Sequence, residues 1–471
     1  MEDSDSSREL HGKSLIGYLS CYGGVFLSNL LGGIFAVQFY VYTINLDFSI
    51  VSVGVFLQLF LTALCSIIFG IVIDNKKPGR FGKRRPFLLY GLPIWVLSSI
   101  ILWIPPSNFY CAPANSFNIP TIIFLWSFLI LKSVSGILIL IAIGSMFPEQ
   151  SQTLKNREKI SSIQTIISIV ASILALLLPL IVQSMLVKPK EAKWWTASGQ
   201  LVLFFIPIIA IIFVSFGIIG VFAAFFTIDE SFHVNAPTQY IKKKSIKATI
   251  QHMKKPILDE KFRKFVLVGF YSGFSGKIIG LVLIPFLTYV MLFVGAKYLI
   301  YIIISISCKF GWFLFWKKLI NNNRDLIKLY STCLFTMVIA SILELFFLVQ
   351  LLSFEFKVVL FIISYGTILG SMYAVGLFGG PISGALIDEA ADKLNYTNKL
   401  EAVSEISGAY AGFSSFMVTV SPAIASIIVG FILTGNNESN PYIITLCLSS
   451  TAFFYFLAWL YIRQIKLTKK L

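Results

Sequence analysis

Twelve apolar stretches follow one another along this chain of 471 residues, most of them separated only by short polar segments. They run over residues 15–43, 48–73, 86–105, 119–147, 160–187, 199–227, 264–293, 296–316, 327–352, 356–387, 399–434 and 441–463. Roughly 20 apolar residues cross the hydrocarbon core of a bilayer. In lipid every backbone N–H and C=O needs a partner within the chain, and runs this long and continuously apolar suit helices, not barrel strands. The fold expected is therefore an all-α membrane protein of twelve transmembrane helices. Composition agrees: 57% of residues are hydrophobic and 13% charged, more apolar surface than a soluble core could bury.

Charge sets the expected orientation. Six Lys/Arg residues lie between Lys76 and Arg85, and with the two tails and the other even-numbered loops this face holds 30 of the 38 basic residues. The opposite face holds Lys188, Lys190, Lys193, Lys297 and Lys357. Basic loops stay on the cytoplasmic side, so both termini are expected there. The net charge of +16 is then an orientation signal and no nucleic-acid footprint.

The longest loop divides the chain into a tail (1–14), a six-helix half (15–227), a basic linker (228–263), a second six-helix half (264–463) and a tail (464–471). Residue-level likeness between the halves is weak, so their symmetry rests on helix count. A cleavable signal peptide is not expected, because the first 14 residues are polar and the first apolar stretch is too long for one. Five of the six cysteines lie in spans and no disulfide is expected; His11, His233 and His252 are scattered without metal-ligand spacing.

Three segments carry a family signal. Gly70 and Asp74 at the end of helix 2, followed by the basic loop, resemble the Gly-x-x-x-Asp motif of the major facilitator superfamily. Within that loop Arg80, Gly82, Arg84, Arg85 and Pro86 are similar to the glycoside-pentoside-hexuronide symporters, the melibiose permease-like branch. Phe147, Pro148 and Glu149 with Asn156, Arg157 and Glu158 after helix 4 resemble a loop of the same branch, as do Gly384, Asp388 and Glu389 ahead of Glu401. The resemblance implies a secondary active transporter for a sugar, glycoside or acidic sugar derivative, working by alternating access as a cation- or proton-coupled symporter. Residues Gly70, Asp74, Arg80, Arg84, Arg85, Glu149, Arg157 and Asp388 are its expected gate, with carboxylates at helix ends paired to basic loops at the cytoplasmic rim. Such half-exposed pairs are each worth about 0–1 kcal/mol, which suits a switch between states of similar energy.

The branch's acidic pair in helix 2 is missing from Leu59–Phe69, and so are its sugar-binding acids near Ser28 or Asn29 and near Leu140. Inside the spans lie instead Lys132, Lys277, Lys309 and Glu344. Intramembrane charge is expensive and marks function by default. Lys309 and Glu344 sit toward span ends and are expected to snorkel, and Glu344 is the candidate coupling acid. Lys132 and Lys277 lie near mid-span. Helices 1, 4, 7 and 10 line the cavity in the superfamily, so the resemblance puts Lys132 and Lys277 on opposite walls, with Ser28, Asn29, Tyr271, Tyr365 and Tyr373 as further substrate contacts. Two lysines without a central carboxylate suggest a negatively charged substrate: a sugar acid or hexuronide, another organic anion or a lysophospholipid. A neutral sugar is the conservative family expectation, and a transport-dead receptor on the same scaffold is the alternative of another class.

No Gly-x-x-x-x-Gly-Lys-Ser/Thr motif is present for a primary pump, and no cluster of carboxylates, His or Cys at one depth suggests an enzyme. No cofactor is expected beyond a coupling cation, H+ or Na+. The expected partners are a small-molecule substrate and the lipid bilayer of the plasma membrane, with no nucleic acid, and the expected state is a monomer.

Overall fold

A computed structural model describes residues 9–76, 79–151, 154–186, 192–230, 254–322, 325–349, 352–393 and 399–467. Twelve helices occupy them: α1 Gly12–Val37, α2 Phe48–Asn75, α3 Arg85–Ile101, α4 Ile119–Gln150, α5 Leu154–Ser184, α6 Ala197–Thr227, α7 Glu260–Pro285, α8 Lys297–Asn322, α9 Leu326–Leu343, α10 Phe354–Asp392, α11 Lys399–Ile432, and α12 as two pieces, Pro441–Ser449 and Thr451–Arg463. Eleven are long and apolar enough to cross a bilayer, and α3 is a shorter apolar helix. The expected linker falls mostly outside the described residues, which contain its first three positions and residues 254–263, a helical turn at Lys254–Leu258 followed by the start of α7.

Polar side chains at the starts of these helices explain where they begin. Asp47 accepts from the Ser49 N–H (2.8 Å), Thr196 from Gly199 (3.1 Å), Asp259 from Lys261 (3.1 Å) and Phe262 (3.2 Å), Asp325 from Lys328 (3.0 Å), Ser353 from Phe356 (3.3 Å) and Asn440 from Tyr442 (3.0 Å). Each satisfies an N–H that the helix itself leaves open.

Lipid gives little hydrophobic drive for helices to associate, so close contact must come from small residues. In the first half α1 lies on α6: a Cβ on Gly24 would stand 2.7 Å from the Gly217 Cα, and one on Gly220 2.3 Å from the Ser20 carbonyl oxygen. In the second half Gly366 and Gly370 of α10 lie against Cys308 and Trp312 of α8. The halves meet where α2 crosses α11 and α5 crosses α8.

The two halves share a backbone irregularity. Beyond α1 the chain widens into a π-helical segment, Gln38–Thr43, and beyond α7 into another, Phe286–Val290. The Ile44 N–H donates to the Phe39 carbonyl at 3.0 Å and that of Leu46 to Tyr40 at 2.9 Å; in the second half Met291 donates to Phe286 at 3.0 Å and Phe293 to Leu287 at 2.9 Å. Each segment then passes through one left-handed residue, Asn45 (φ 70°) or Leu292 (φ 54°). This is the internal repeat that the side chains conceal.

Replacing Gly24 by Val overpacks the α1–α6 contact and is expected to destabilise the protein by about 1–3 kcal/mol, while Gly144→Ala, at a site with no heavy atom within 4 Å of the new Cβ, is expected to be neutral. Thermal melts of the two purified variants decide the point: equal melting temperatures would show that α1 and α6 are not held by close approach.

Candidate functional site

The end of the bundle where α1 starts and α12 finishes is its terminal end. Among the described residues, the hydrogen bonds that cross between the halves lie at mid-height or at the opposite end. At the opposite end Thr434, just past α11, donates to both Asp47 carboxylate oxygens (3.2 and 3.1 Å), and the Tyr42 hydroxyl donates to the Glu438 carbonyl at 3.3 Å. Tyr42 and Tyr289, at corresponding positions of the two π segments, place their rings 6.3 Å apart. Lys193 reaches the Val41 carbonyl at 3.1 Å and interacts with the Glu438 carboxyl from the other half. Burial raises the Glu438 carboxyl above the ordinary range, the Asp47 charge adds to this, and Lys193 opposes it.

At mid-height three lysines enter the protein interior, each bonded to a neutral oxygen. Lys132 of α4 is 3% exposed, and its ammonium donates to the Ser28 carbonyl of α1 at 2.9 Å. Gly32 makes room for it, since a Cβ there would stand 2.4 Å from Nζ. Lys277 of α7 reaches across the halves to the Gly33 carbonyl at 3.5 Å. Gly33 is exposed, with no heavy atom within 4 Å of a Cβ built on it. Two ammonium groups from different halves thus meet α1 at carbonyls five residues apart, about 7.5 Å along its axis, and one stands beside open space. Lys309 of α8 donates to the Ser172 hydroxyl of α5 at 3.0 Å and lies over the Tyr373 ring, 5.0 Å from its centroid.

A cleft of about 340 Å³ lies between the halves, lined by Tyr22, Gln164, Thr165, Ser168, Met372, Tyr373 and Gly376. These residues belong to α1, α5 and α10 and lie on the terminal side of the crossing bonds. Tyr373 is therefore at the cleft. Asn29 lies where α1 passes α4, its amide 3.5 Å from a Cβ built on Gly136, and Ser28 is engaged through its carbonyl. Two expected contacts are elsewhere. Tyr271 stacks on Tyr461 of α12, and Tyr365 is buried inside the second half against Tyr301 and Phe361. The snorkelling expected of Lys309 and Glu344 is also corrected: they are 1% and 0% exposed. Both sit on helix faces turned into protein, which span position alone does not reveal.

The signature loop also does structural work. The carboxylate of Glu230, just past α6 and 1% exposed, accepts from the backbone N–H groups of Arg84 (2.9 Å) and Arg85 (3.1 Å) and so caps α3. The Arg84 guanidinium donates to the Ser145 carbonyl and that of Arg85 to the Phe225 carbonyl, tying the loop to the ends of α4 and α6. These bonds stay within one half. Arg80 is exposed beside Phe81, and Gly70 faces open space. Asp388 is exposed, while its neighbour Glu389 pairs with Lys261 at 2.6 Å within the second half. The side chains of Asp74, Glu149 and Arg157 lie outside the described residues. Glu230 escapes sequence reasoning because it follows Asp229 in no recognisable motif; an acidic pair at the end of an apolar helix is its only signal. No group of three or more His, Cys, Asp or Glu among the described residues could hold a metal.

Residues 17–468 match the family described as MFS/sugar transport protein. No curated protein matches. Among solved structures, the chain is similar to the nucleoside transporter NupG (13% identity, 96% of this chain and 100% of that one, TM-score 0.59). It is also similar to the xylose transporter XylE from E. coli (12%, 94% and 98%, 0.58) and to a point variant of the E. coli fucose:proton symporter FucP (14%, 96% and 98%, 0.54). At these identities the likeness concerns fold.

Glu230→Gln keeps the shape of the cap but removes its charge, with an expected loss of about 1.5–3 kcal/mol, whereas Asp388→Asn is expected to stay within about 0.5 kcal/mol of the parent; thermal melts compare them. For the sealed end the sign follows from Glu438. A carboxyl held high in the sealed state and normal where water reaches it stabilises sealing at low pH, and that contribution fades as pH rises through the raised value. Spin labels at Asn115 and Asn436, exposed on the two halves, are expected to move apart as pH rises; a separation independent of pH, or unchanged behaviour in Glu438→Gln, contradicts this.

Proposed function

The chain belongs to the MFS/sugar transport protein family, and on that premise we propose that it carries a small organic anion, first of all an acidic sugar derivative such as a uronide, by alternating access. It is a membrane transporter and not an enzyme. The observation that carries the anion reading is the pair Lys132 and Lys277, brought from two halves onto one stretch of α1 with only carbonyl oxygens as hydrogen-bond partners among the described residues. A buried ammonium bonded to a neutral oxygen keeps an uncompensated charge, and a bound anion would supply the missing one. The family description and the sugars named for XylE and FucP favour a sugar-like frame for that anion.

The positive-inside bias supports a cytoplasmic terminal end, with the protein in the plasma membrane. In this reading the cleft opens to the cytoplasm, and the Asp47, Thr434, Tyr42, Tyr289, Lys193 and Glu438 group closes the outside. Both walls of the cleft come from one chain, so a monomer is the complete working unit.

Thermal shift of the purified protein tests the anion reading. A ligand of the folded state adds about 2.7 kcal/mol of stability at a hundred times its dissociation constant. Glucuronate or a sugar phosphate is expected to raise the melting temperature of the parent and to have no effect on Lys132→Met or Lys277→Met. Lys132→Met itself should melt no lower than the parent, because it replaces a buried charge by an apolar chain of similar length. Stabilisation by a neutral methyl glucoside that survives both substitutions would sink the anion reading; stabilisation by a lysophospholipid alone would transfer it to a lipid anion.

A further inference from the structure

Glu344 is an acid buried inside the second half, and its surroundings are unusual. It opens the 3-10 turn Glu344–Leu348 that finishes α9, it is 0% exposed, and neither of its side-chain oxygens has a hydrogen-bond partner among the described residues. What it faces is a set of tyrosines. Tyr365 of α10 and Tyr455 of α12, both fully buried, are its electrostatic neighbours. Tyr301 of α8 lies beyond Tyr365, ring centroids 6.1 Å apart, and Tyr330 and Cys333 of α9 lie beyond Tyr455. The first piece of α12, packed over the turn, brings the ionisable residues Cys447, buried, and Tyr442, exposed. No Lys, Arg or His among the described residues pairs with Glu344.

A carboxylate needs partners for its charge in a dry interior, whereas a carboxylic acid needs one acceptor and offers one O–H. Tyrosine oxygens can accept that proton, and the hydroxyls of Tyr365 and Tyr301 interact with each other, with Ser305 beside Tyr301 and Ser275 beside Tyr455. The site therefore fits an un-ionised acid. It also has a way out. Tyr301 is an electrostatic neighbour of Tyr373, which lines the cleft under the Lys309 ammonium.

We propose that Glu344 is the proton-binding site of the transport cycle, holding a proton in this state and exchanging it with the cleft along Tyr365, Tyr301 and Tyr373. The transfer balances without any other reactant. Glu344 gives its proton to the Tyr365 oxygen as the Tyr365 hydroxyl proton passes to Tyr301 and that of Tyr301 to Tyr373, and one proton leaves from Tyr373 to water. Each tyrosine ends neutral, and Glu344 is left as a carboxylate to be reprotonated. The inference is independent of the anion reading, since it invokes neither Lys132 nor Lys277.

Infrared difference spectroscopy of the purified full-length protein tests it without a substrate. At neutral pH in sodium-free buffer, parent minus Glu344→Gln should show the carbonyl stretch of an un-ionised carboxylic acid. That band should be unmoved by added NaCl and should reappear, shifted, in Glu344→Asp. On transfer to deuterated water its isotope shift should be several-fold slower in Tyr365→Phe. No acid band in the difference spectrum would mean that Glu344 is ionised and would overturn the proposal; loss of the band on adding NaCl would replace the proton by a sodium ion. An isotope shift as fast in Tyr365→Phe as in the parent would overturn the tyrosine route. Should Glu344→Gln fail to fold, the band and its response to NaCl are read against Glu344→Asp alone.

Discussion

A helix carbonyl has two lone pairs, and the α-helical ladder uses one of them. The middle of α1 turns this spare capacity into a place for charge: the Ser28 and Gly33 carbonyls accept the ammonium groups of Lys132 and Lys277 while their helix continues. Side-chain acceptors would have needed space that this crowded helix lacks. The glycines at 32 and 33 supply it, one by leaving a hollow for the Lys132 head and one by leaving the backbone bare beside Lys277. The arrangement holds the charges in place but does not neutralise them, and the proposed anion site rests on that difference.

The two ends of the bundle are held by different chemistry. At the terminal end several polar contacts among the described residues lie within a half: Glu230 on the start of α3, Arg84 and Arg85 on the ends of α4 and α6, Lys261 on Glu389. They make each half a stiff unit. At the opposite end the halves bond to each other through hydroxyls and a carboxylate, Thr434 to Asp47 and Tyr42 to Glu438, with water near enough to compete. Stiff halves joined by weak, half-exposed bonds are what a rocking motion about a central site requires.

The architecture was legible because span length and the placement of basic residues obey rules that do not depend on packing. Helix number, helix order and the division into halves follow from Leu, Ile and Phe content and from loops such as Lys76–Arg85. Which face of each helix turns inward was not legible. These helices are apolar all round, so Tyr365 and Tyr373, eight residues apart on one helix, read alike, yet one is sealed inside the second half and the other lines the cleft. The same limit hid the depth of Lys309 and Glu344. Glu230 was missed for another reason: its partners are backbone N–H groups more than 140 residues away in sequence, and backbone donors leave no mark on composition.

The twin π segments reach beyond geometry. A π turn amounts to one residue added to an α-helix, and the addition rotates all that follows by about 100°. Both halves carry it at the same place, followed by the same pair of backbone bonds spanning five and six residues and one left-handed residue, although Asn45 suits that conformation and Leu292 does not. A sequence fragment copied once and then diverging would leave this trace, with the insertion older than the copying. The contact between Tyr42 and Tyr289 would then descend from a single ancestral side chain that came to meet its own duplicate.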